Sequence, residues 1–508
     1  MNLQHNGNSV TTEALHPELE ATLGLIRSKL GNSTDLVIRS FTVITPLQAH
    51  PAAIVYIDGL ANVKELLESL LVNFSDTQTL PQLSSETSPL HWIRSFMLRS
   101  GDISSLYDFE ELCQAILSGE TIVLVDGYAE GIAAATNEWK DRGVTEPNSQ
   151  SVVRGPREGF SETLRTNTAL IRRKIKDPSL WLETRQVGTV THTDVAIMYI
   201  QGIADEKVVE EVRSRLDRID TDAILESGYI EEFIQDKAMS PFPTIYNTER
   251  PDTVAGGLLE GRVAILVDGT PFVLVVPALF THFIQTAEDY YQRADIGTLL
   301  RLLRYVCLFI AMFGPGAYIA ITTFHQEMIP TQLLINIVAQ REGIPFPAFI
   351  EALLMEVTFE ILREAGVRMP RTVGQAVSIV GALVIGQAAV DAGLVGPAMV
   401  IVVSITAISN FVIPSYNMGI SIRMIRFFFM MLAASFGLFG ILVGTIILVL
   451  HLSSLQSFGV PYLAPFAPFI KEDQKDNMIR LPQWMLLTRP HIVSHQDRKR
   501  QQKQPPQP

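Results

Sequence analysis

The chain changes texture along its length. Up to about residue 300, apolar runs are short and punctuated by Gly, Asp and Ser, the pattern of strands and amphipathic helices. Beyond it lie four long uncharged runs: residues 305–324, residues 372–390, residues 392–422 with an apolar core at 397–413, and residues 427–450. A helix crossing ~30 Å of hydrocarbon needs about 20 such residues, so the pattern predicts about four membrane spans. Residues 269–287 are also uncharged, but they alternate and carry Pro277, His282 and Gln285. That segment reads as a buried strand leading to an interfacial stretch. The first 30 residues are polar, with no apolar run behind a basic start, so no cleavable signal peptide is expected and residues 1–290 are expected to stay cytoplasmic.

Within the polar half the chain repeats itself. VYIDGLAN at 55–62 returns as MYIQGIAD at 198–205, and LSGE-TIVLVDG at 117–127 returns as LEGR-VAILVDG at 259–269. Each copy reads as a strand, a helix (63–71; 207–216), a second helix ending at a glycine (Gly119; Gly261) and a hairpin. The hairpin turns are Asp126-Gly127 and Asp268-Gly269, a pair that tolerates positive φ in a tight turn. The predicted fold class is therefore two tandem related α/β lobes followed by a polytopic helical membrane domain. Its boundaries are a polar tail at 1–30, a first lobe at 31–150, a second lobe at 151–290, a membrane domain at 291–455 and a cytoplasmic C-terminal segment at 456–508.

Composition sharpens this. The 508 residues are 47% hydrophobic and 18% charged with a mean hydropathy of +0.23, greasier than an ordinary soluble enzyme. The net charge of -13 divides as -18 over residues 1–300, +1 over 301–450 and +4 over 451–508, so the acidic half is no nucleic-acid binder. Cys113 and Cys307 are too far apart for a CxxC motif and read as reduced, buried thiols. Neither lobe holds a GxGxxG, a P-loop or a nucleophile elbow, and no metal or cofactor site is expected. Arginines fix orientation only in part. Arg301 and Arg304 put the start of the first span inside, and the basic tail belongs inside too, which an even number of crossings satisfies; Arg363, Arg368, Arg371, Arg423 and Arg426 would lie outside under four spans, unless residues 345–366 also dip into or cross the membrane.

Two segments carry candidate chemistry. Between the lobes, Arg154, Gly155, Pro156, Arg157, Glu158, Gly159 and Phe160 form a rigid, charged connector ahead of a helix. An anion site at that helix's N-terminus and an inter-lobe salt-bridge clasp both fit, the clasp being the commoner use. The segment PFPAFIEALLMEVTFEILREAG at 345–366 is an amphipathic helix: at about 100° per residue Glu356, Glu360, Arg363 and Glu364 share one face. Carboxylates at membrane depth face water or a partner, so Glu356, Glu360 and Glu364 read as a cation-attracting mouth in an oligomer or as the wet side of an interfacial helix. Asn410, one turn before Pro414, needs a polar partner and joins them as an ion-path candidate. Gly437, Gly440 and Gly444 permit close helix contact.

Long stretches resemble the A subunit of the GerA-type spore germinant receptors of endospore-forming bacteria. They include SVVRGPREGF (151–160), LRTNTALIRRKIKDP (164–178), TERPDTVAGGLLEGRVAILVDGTPFVLVVP (248–277), TTFHQEMIPTQLL (322–334), residues 341–395, FVIPSYNMGISIR (411–423) and FGVPYLAPFAP (458–468). The resemblance implies a multi-pass protein of the spore inner membrane, with no enzymatic activity. It implies two partners, a transporter-like B subunit that senses nutrient and a lipoprotein C subunit, and a homo-oligomer forming a nutrient-gated cation channel. An accessory channel subunit of the same family shares the motifs. A non-conducting receptor scaffold and, with few spans and no inverted repeat among them, a secondary transporter are the other readings.

Overall fold

The computed structural model describes residues 14–44, 48–64, 66, 88–97, 102–137, 147, 150, 152–368, 386–493 and 499–501. They form two compact units. One holds the described residues up to Ile234 together with Asn247–Val276, and the other holds Gln235–Tyr246 and Pro277–Ile492.

The first unit is the repeat. Its first lobe runs α1 (Leu19–Lys29), β1 (Leu36–Ile44), β2 (Ala49–Ile57), α2 (Pro89–Met97), β3 (Ile103–Leu106), α3 (Phe109–Leu117), β4 (Thr121–Val125) and β5 (Gly131–Ala134). The second runs α4 (Leu164–Lys174), β6 (Leu180–Val187), β7 (Thr193–Ile200), α5 (Glu206–Asp217), α6 (Ser227–Ile234), β8 (Tyr246–Thr248), α7 (Pro251–Leu259), β9 (Val263–Val267) and β10 (Val273–Val276). The sheets have the same order, β1-β2-β4-β5-β3 and β6-β7-β9-β10-β8. VYI and MYI close β2 and β7, and the two LVDG turns follow β4 and β9, so both repeated motifs occupy matching places. The central strands TIVLV and VAILV are buried at every position, as a sheet covered on both faces requires.

The Asp-Gly turns do a second job. Gly127 and Gly269 sit at φ 87° and 91°, which favours glycine. Asp126 Oδ1 accepts from Leu19 N at 3.0 Å and Asp268 Oδ1 from Leu164 N at 2.9 Å, so each turn caps the leading helix of its own lobe. The first lobe thus begins earlier than residue 31. Leu15, Leu19, Leu23 and Ile26 are buried in its core, so the expected polar tail is, from residue 14, part of the fold. Their spacing is helical and was masked by the polar residues between them. The first predicted helix of the repeat, at 63–71, falls largely outside the described residues, whereas its counterpart is α5. Cys113 is buried in this core, which pushes its thiol up to about 11.

The second unit is helical: α8 (Ala294–Thr323), α9 (Thr331–Arg341), α10 (Ala348–Arg368), α11 (Pro397–Phe411) and α12 (Tyr416–Ser454). Two of these, α8 and α12, are long and apolar enough to cross a membrane. A straight α12 would measure about 58 Å, nearly twice a bilayer core. It does not run straight. At Gly437 the backbone takes φ 61°, ψ -144°, and the chain turns back: Gly444 lies against Leu432 and Phe429. The run at 427–450, expected as one span, is therefore split between two arms of a helical hairpin. Glycine at the turn and at positions 440 and 444 removes the side chains that would hold the arms apart.

Packing orders the helices. Tyr305 and Leu308 of α8 share a core with Ile413, Met418, Ile425 and Leu452, while Ile319 and Ala320 share another with Val403, Met399, Val395, Met430 and Ala433. Gly437 abuts Phe324 and His325. Thus α11 lies antiparallel to α8, the first arm of α12 lies antiparallel to α11, and the second arm returns toward the start of α8. Most of the expected span at 372–390 lies outside the described residues. Arg301 and Arg304 are not free flanking charges: Arg301 is fully buried between Asp289 and Asp476, and Arg304 meets Asp289 at 2.8 Å. They join the start of α8 to the turn at Glu288–Tyr291 and to the C-terminal segment.

Candidate functional site

The site builds from Pro315. Inside α8 it has no N–H to offer the carbonyl four residues back, so Ala311 O is left without its helical donor. Arg426 of α12 fills the gap, its Nε donating to Ala311 O at 2.7 Å. The same guanidinium reaches α10, where Nη1 donates to Glu356 Oε2 at 2.5 Å. Both residues are 3% exposed. One arginine thereby ties three helices together.

The tie is one rung of a ladder along α10. Toward its start, Glu351 is fully buried and accepts from Gly396 N, at the N-terminus of α11, at 2.6 Å. Past Glu356, Glu360 pairs with Arg423. Next, Arg363 stacks on Phe411 at 5.1 Å and, with the Asn410 amide turned to satisfy both neighbours, donates to its oxygen at 2.8 Å while Asn410 donates to Gly419 O at 3.2 Å. Glu364 stays outside, paired with Arg368 at 2.6 Å on the exposed surface. Of the four ion-path candidates, then, Glu356, Glu360 and Asn410 belong to this internal network and Glu364 does not. The expected free acidic face is instead covered by arginines of α12. Glu356 Oε1 and Arg426 Nη2 keep one unpartnered atom each among the described residues.

Arg423 and Arg426 read from sequence as topology markers, and their chemistry was missed. A signal existed: glutamates four apart and arginines three apart match when two helices run antiparallel, and an arginine in an apolar helix needs an acid. The apolar side of α10 behaves in the opposite way. Ile350, Leu354, Val357 and Ile361 are exposed in one stripe while Glu351 and Glu356 are buried, the reverse of a water-soluble helix.

In the first unit the connector is wired differently from either expectation. Glu158 pairs with Lys174 at 3.1 Å and Arg173 at 3.8 Å, both on α4 of the second lobe. Pro156 O accepts from Arg250, Phe160 is buried with its N–H on Glu249 O, and Arg154 and Arg157 are exposed. Gly155 takes φ 142° and Gly159 is buried. An anion at the α4 N-terminus would compete with Asp268, which already caps it. The clasp between lobes is Arg172, which bonds Asp35 through Nη2 at 2.8 Å and again through Nε, and reaches Leu180 O at 3.1 Å. No feature of the single sequence marked that pair.

One carboxyl of the second lobe titrates near neutrality. Burial pushes Glu231 from 4.5 up to about 7, with Asn247 donating at 3.3 Å and the Glu226 charge nearby. The native state then holds a proton that the unfolded chain has released between those pH values, so stability is greatest below about 4.5 and falls as pH rises through 7. Glu231→Gln should remove about 1–3 kcal/mol of that fall. Thermal unfolding of the full chain at pH 5 and pH 8 checks it: the variant gains over wild type only at the higher pH.

The profile of the Bacillus/Clostridium GerA spore germination proteins matches residues 24–492. Spore germination protein KA of Bacillus subtilis (strain 168) is 49% identical over 501 residues, covering 97% of this chain and 90% of that protein. The uncharacterized membrane protein YfkQ of the same organism is 45% identical over 94% of this chain and 92% of its own length. The crystal structure of the N-terminal domain of the A subunit of the Bacillus megaterium spore germinant receptor GerK3 is 42% identical, covering 53% of this chain and 98% of that one with a TM-score of 0.43.

Proposed function

Because the chain belongs to the GerA family of spore germination proteins, we propose that it is the A subunit of a nutrient-responsive germinant receptor, a multi-pass protein of the spore inner membrane that oligomerises and passes cations once nutrient is sensed. The observation that carries this reading is the inverted burial of the helical unit. Arg426, Glu356, Glu351 and Asn410 are inside, while Phe309, Ile361, Ile408, Phe436 and Phe439 face outward. In water that arrangement costs on both counts; in lipid it is the low-energy one. The hairpin adds to it, since each arm of α12 matches a bilayer and the whole helix does not. The relative YfkQ carries the description of a membrane protein. A B subunit and a lipoprotein C subunit are the partners this family role calls for.

The ladder suggests how such a path stays shut. A cation entering beside α10 needs oxygen ligands, and Glu356 and Glu360 present theirs to Arg426 and Arg423. Moving α10 away from α12 frees two carboxylates at once, because Arg423 and Arg426, which neutralise them, belong to α12. The test is reconstitution with the B and C subunits in potassium-loaded vesicles. Nutrient-triggered potassium release that requires this chain supports the reading, whereas nutrient binding with no release makes the chain a scaffold.

A further inference from the structure

We propose that the helical hairpin of α12 holds a single-chain amphiphile with an anionic head, such as a fatty carboxylate, in a cavity between its arms. The arms touch where Gly444 meets Leu432 and Phe429, then part toward their open end. There they enclose about 620 Å³, within the ~300–1,000 Å³ common for ligand sites. The walls are apolar: Met424, Ile425, Phe428, Ile447 and Leu448, with Phe429 at the inner end. Met424, Phe428 and Ile447 are among the exposed residues, so the cavity opens sideways onto the apolar surface of the unit. Entry from the bilayer rests on the membrane reading above; the site itself does not.

Polarity is confined to one edge. A strap at 238–242 crosses the open end and is tied to both arms: Pro241 O accepts from Ser421 Oγ, Ser240 Oγ meets His451 Nε2 at 3.0 Å, and Lys237 Nζ donates to Ser454 Oγ at 3.2 Å. The nearest acid on the strap, Asp236, is turned to Phe458 N at 2.9 Å. That edge therefore carries the His451 imidazole and the Ser240 hydroxyl, bonded to each other, with the exposed Lys237 ammonium just outside the lining, one turn along on Ser454. A carboxylate head beside Lys237 and His451, with its alkyl tail running toward Phe429, satisfies both halves of the site.

The test uses the full chain in maltoside detergent, so that its outcome does not depend on membrane topology or channel activity. Palmitate bearing a tail diazirine is photolysed and the adducts are mapped by mass spectrometry. Adducts should fall within residues 424–429 and 444–451, and free fatty acids should compete about fourfold better per added methylene up to the length of the slot. Hexadecanol should compete about 10–100-fold less well than palmitate. Lys237→Ala with His451→Gln should erase that preference, and Met424→Trp, which fills the slot from its open side, should abolish labelling with the helical content unchanged. Adducts spread over the outward faces of α8 and α11, labelling that excess palmitate does not reduce, or equal competition by hexadecanol would each overturn the proposal.

Discussion

Arg426→Leu should lower the amount of folded protein more than any other single change in the helical unit. It leaves the Glu356 carboxylate buried without a counter-charge, which typically costs about 3–5 kcal/mol, and it orphans Ala311 O for about 1–3 kcal/mol more. The two losses can be repaired separately. Adding Glu356→Leu replaces an ion pair by apolar packing, a change that is often near neutral, and should recover most of the protein. Adding Pro315→Ala supplies the missing N–H to Ala311 O and should recover part of the rest. The level of each variant in membranes, with its melting temperature in detergent, checks this series. A double variant as depleted as Arg426→Leu alone would show that the node does not hold the helices together.

The second large effect is expected in the first unit. Arg172 and Asp35 are each 1% exposed and bonded through two atoms, so Arg172→Ala should cost about 3–5 kcal/mol and loosen the lobes from each other. Hydrogen exchange is the direct measurement: amides of residues 33–36 and 180–184 should lose protection while the central strands β4 and β9 keep theirs. Glu158→Ala is the contrast. Its carboxylate is 39% exposed beside Lys174, and such pairs contribute about 0–1 kcal/mol. If both variants leave exchange unchanged, neither residue is the clasp.

Much of the first unit could be read in advance because its information is local. An apolar run ending in Asp-Gly specifies a hairpin, and a repeat at a constant offset specifies two copies of whatever the first one is. The strands β1, β3, β6 and β8 were missed for the converse reason: VIRSF, ISSL and TRQV are half polar, and only their neighbours in the sheet make them strands. In the helical unit hydropathy located the apolar runs but not the reversal at Gly437. A run of apolar residues looks the same whether it crosses once or folds on itself, and glycines are common in either case. The candidate site was half legible. Glu356 and Glu360 stood out as acids in a greasy region, but which residues face them depends on how α10 and α12 pack, and that is a tertiary fact. With α12 placed alongside, the same two acids are paired with Arg426 and Arg423, and under the proposed function they change from the lining of an open mouth to the closed side of an ion-pair lock.

That lock is the claim on which the channel reading depends, and potassium release from germinating spores tests it most directly. Spores carrying Glu360→Gln keep the shape of a side chain that is 42% exposed and lose its charge, so the buried Arg426–Glu356 tie that holds the helices is kept while the freed path has one carboxylate fewer to offer. The account predicts that nutrient-triggered potassium release slows by about tenfold or more, with the protein present at its normal level in the inner membrane. Release at the normal rate from spores containing the normal amount of this variant would contradict it.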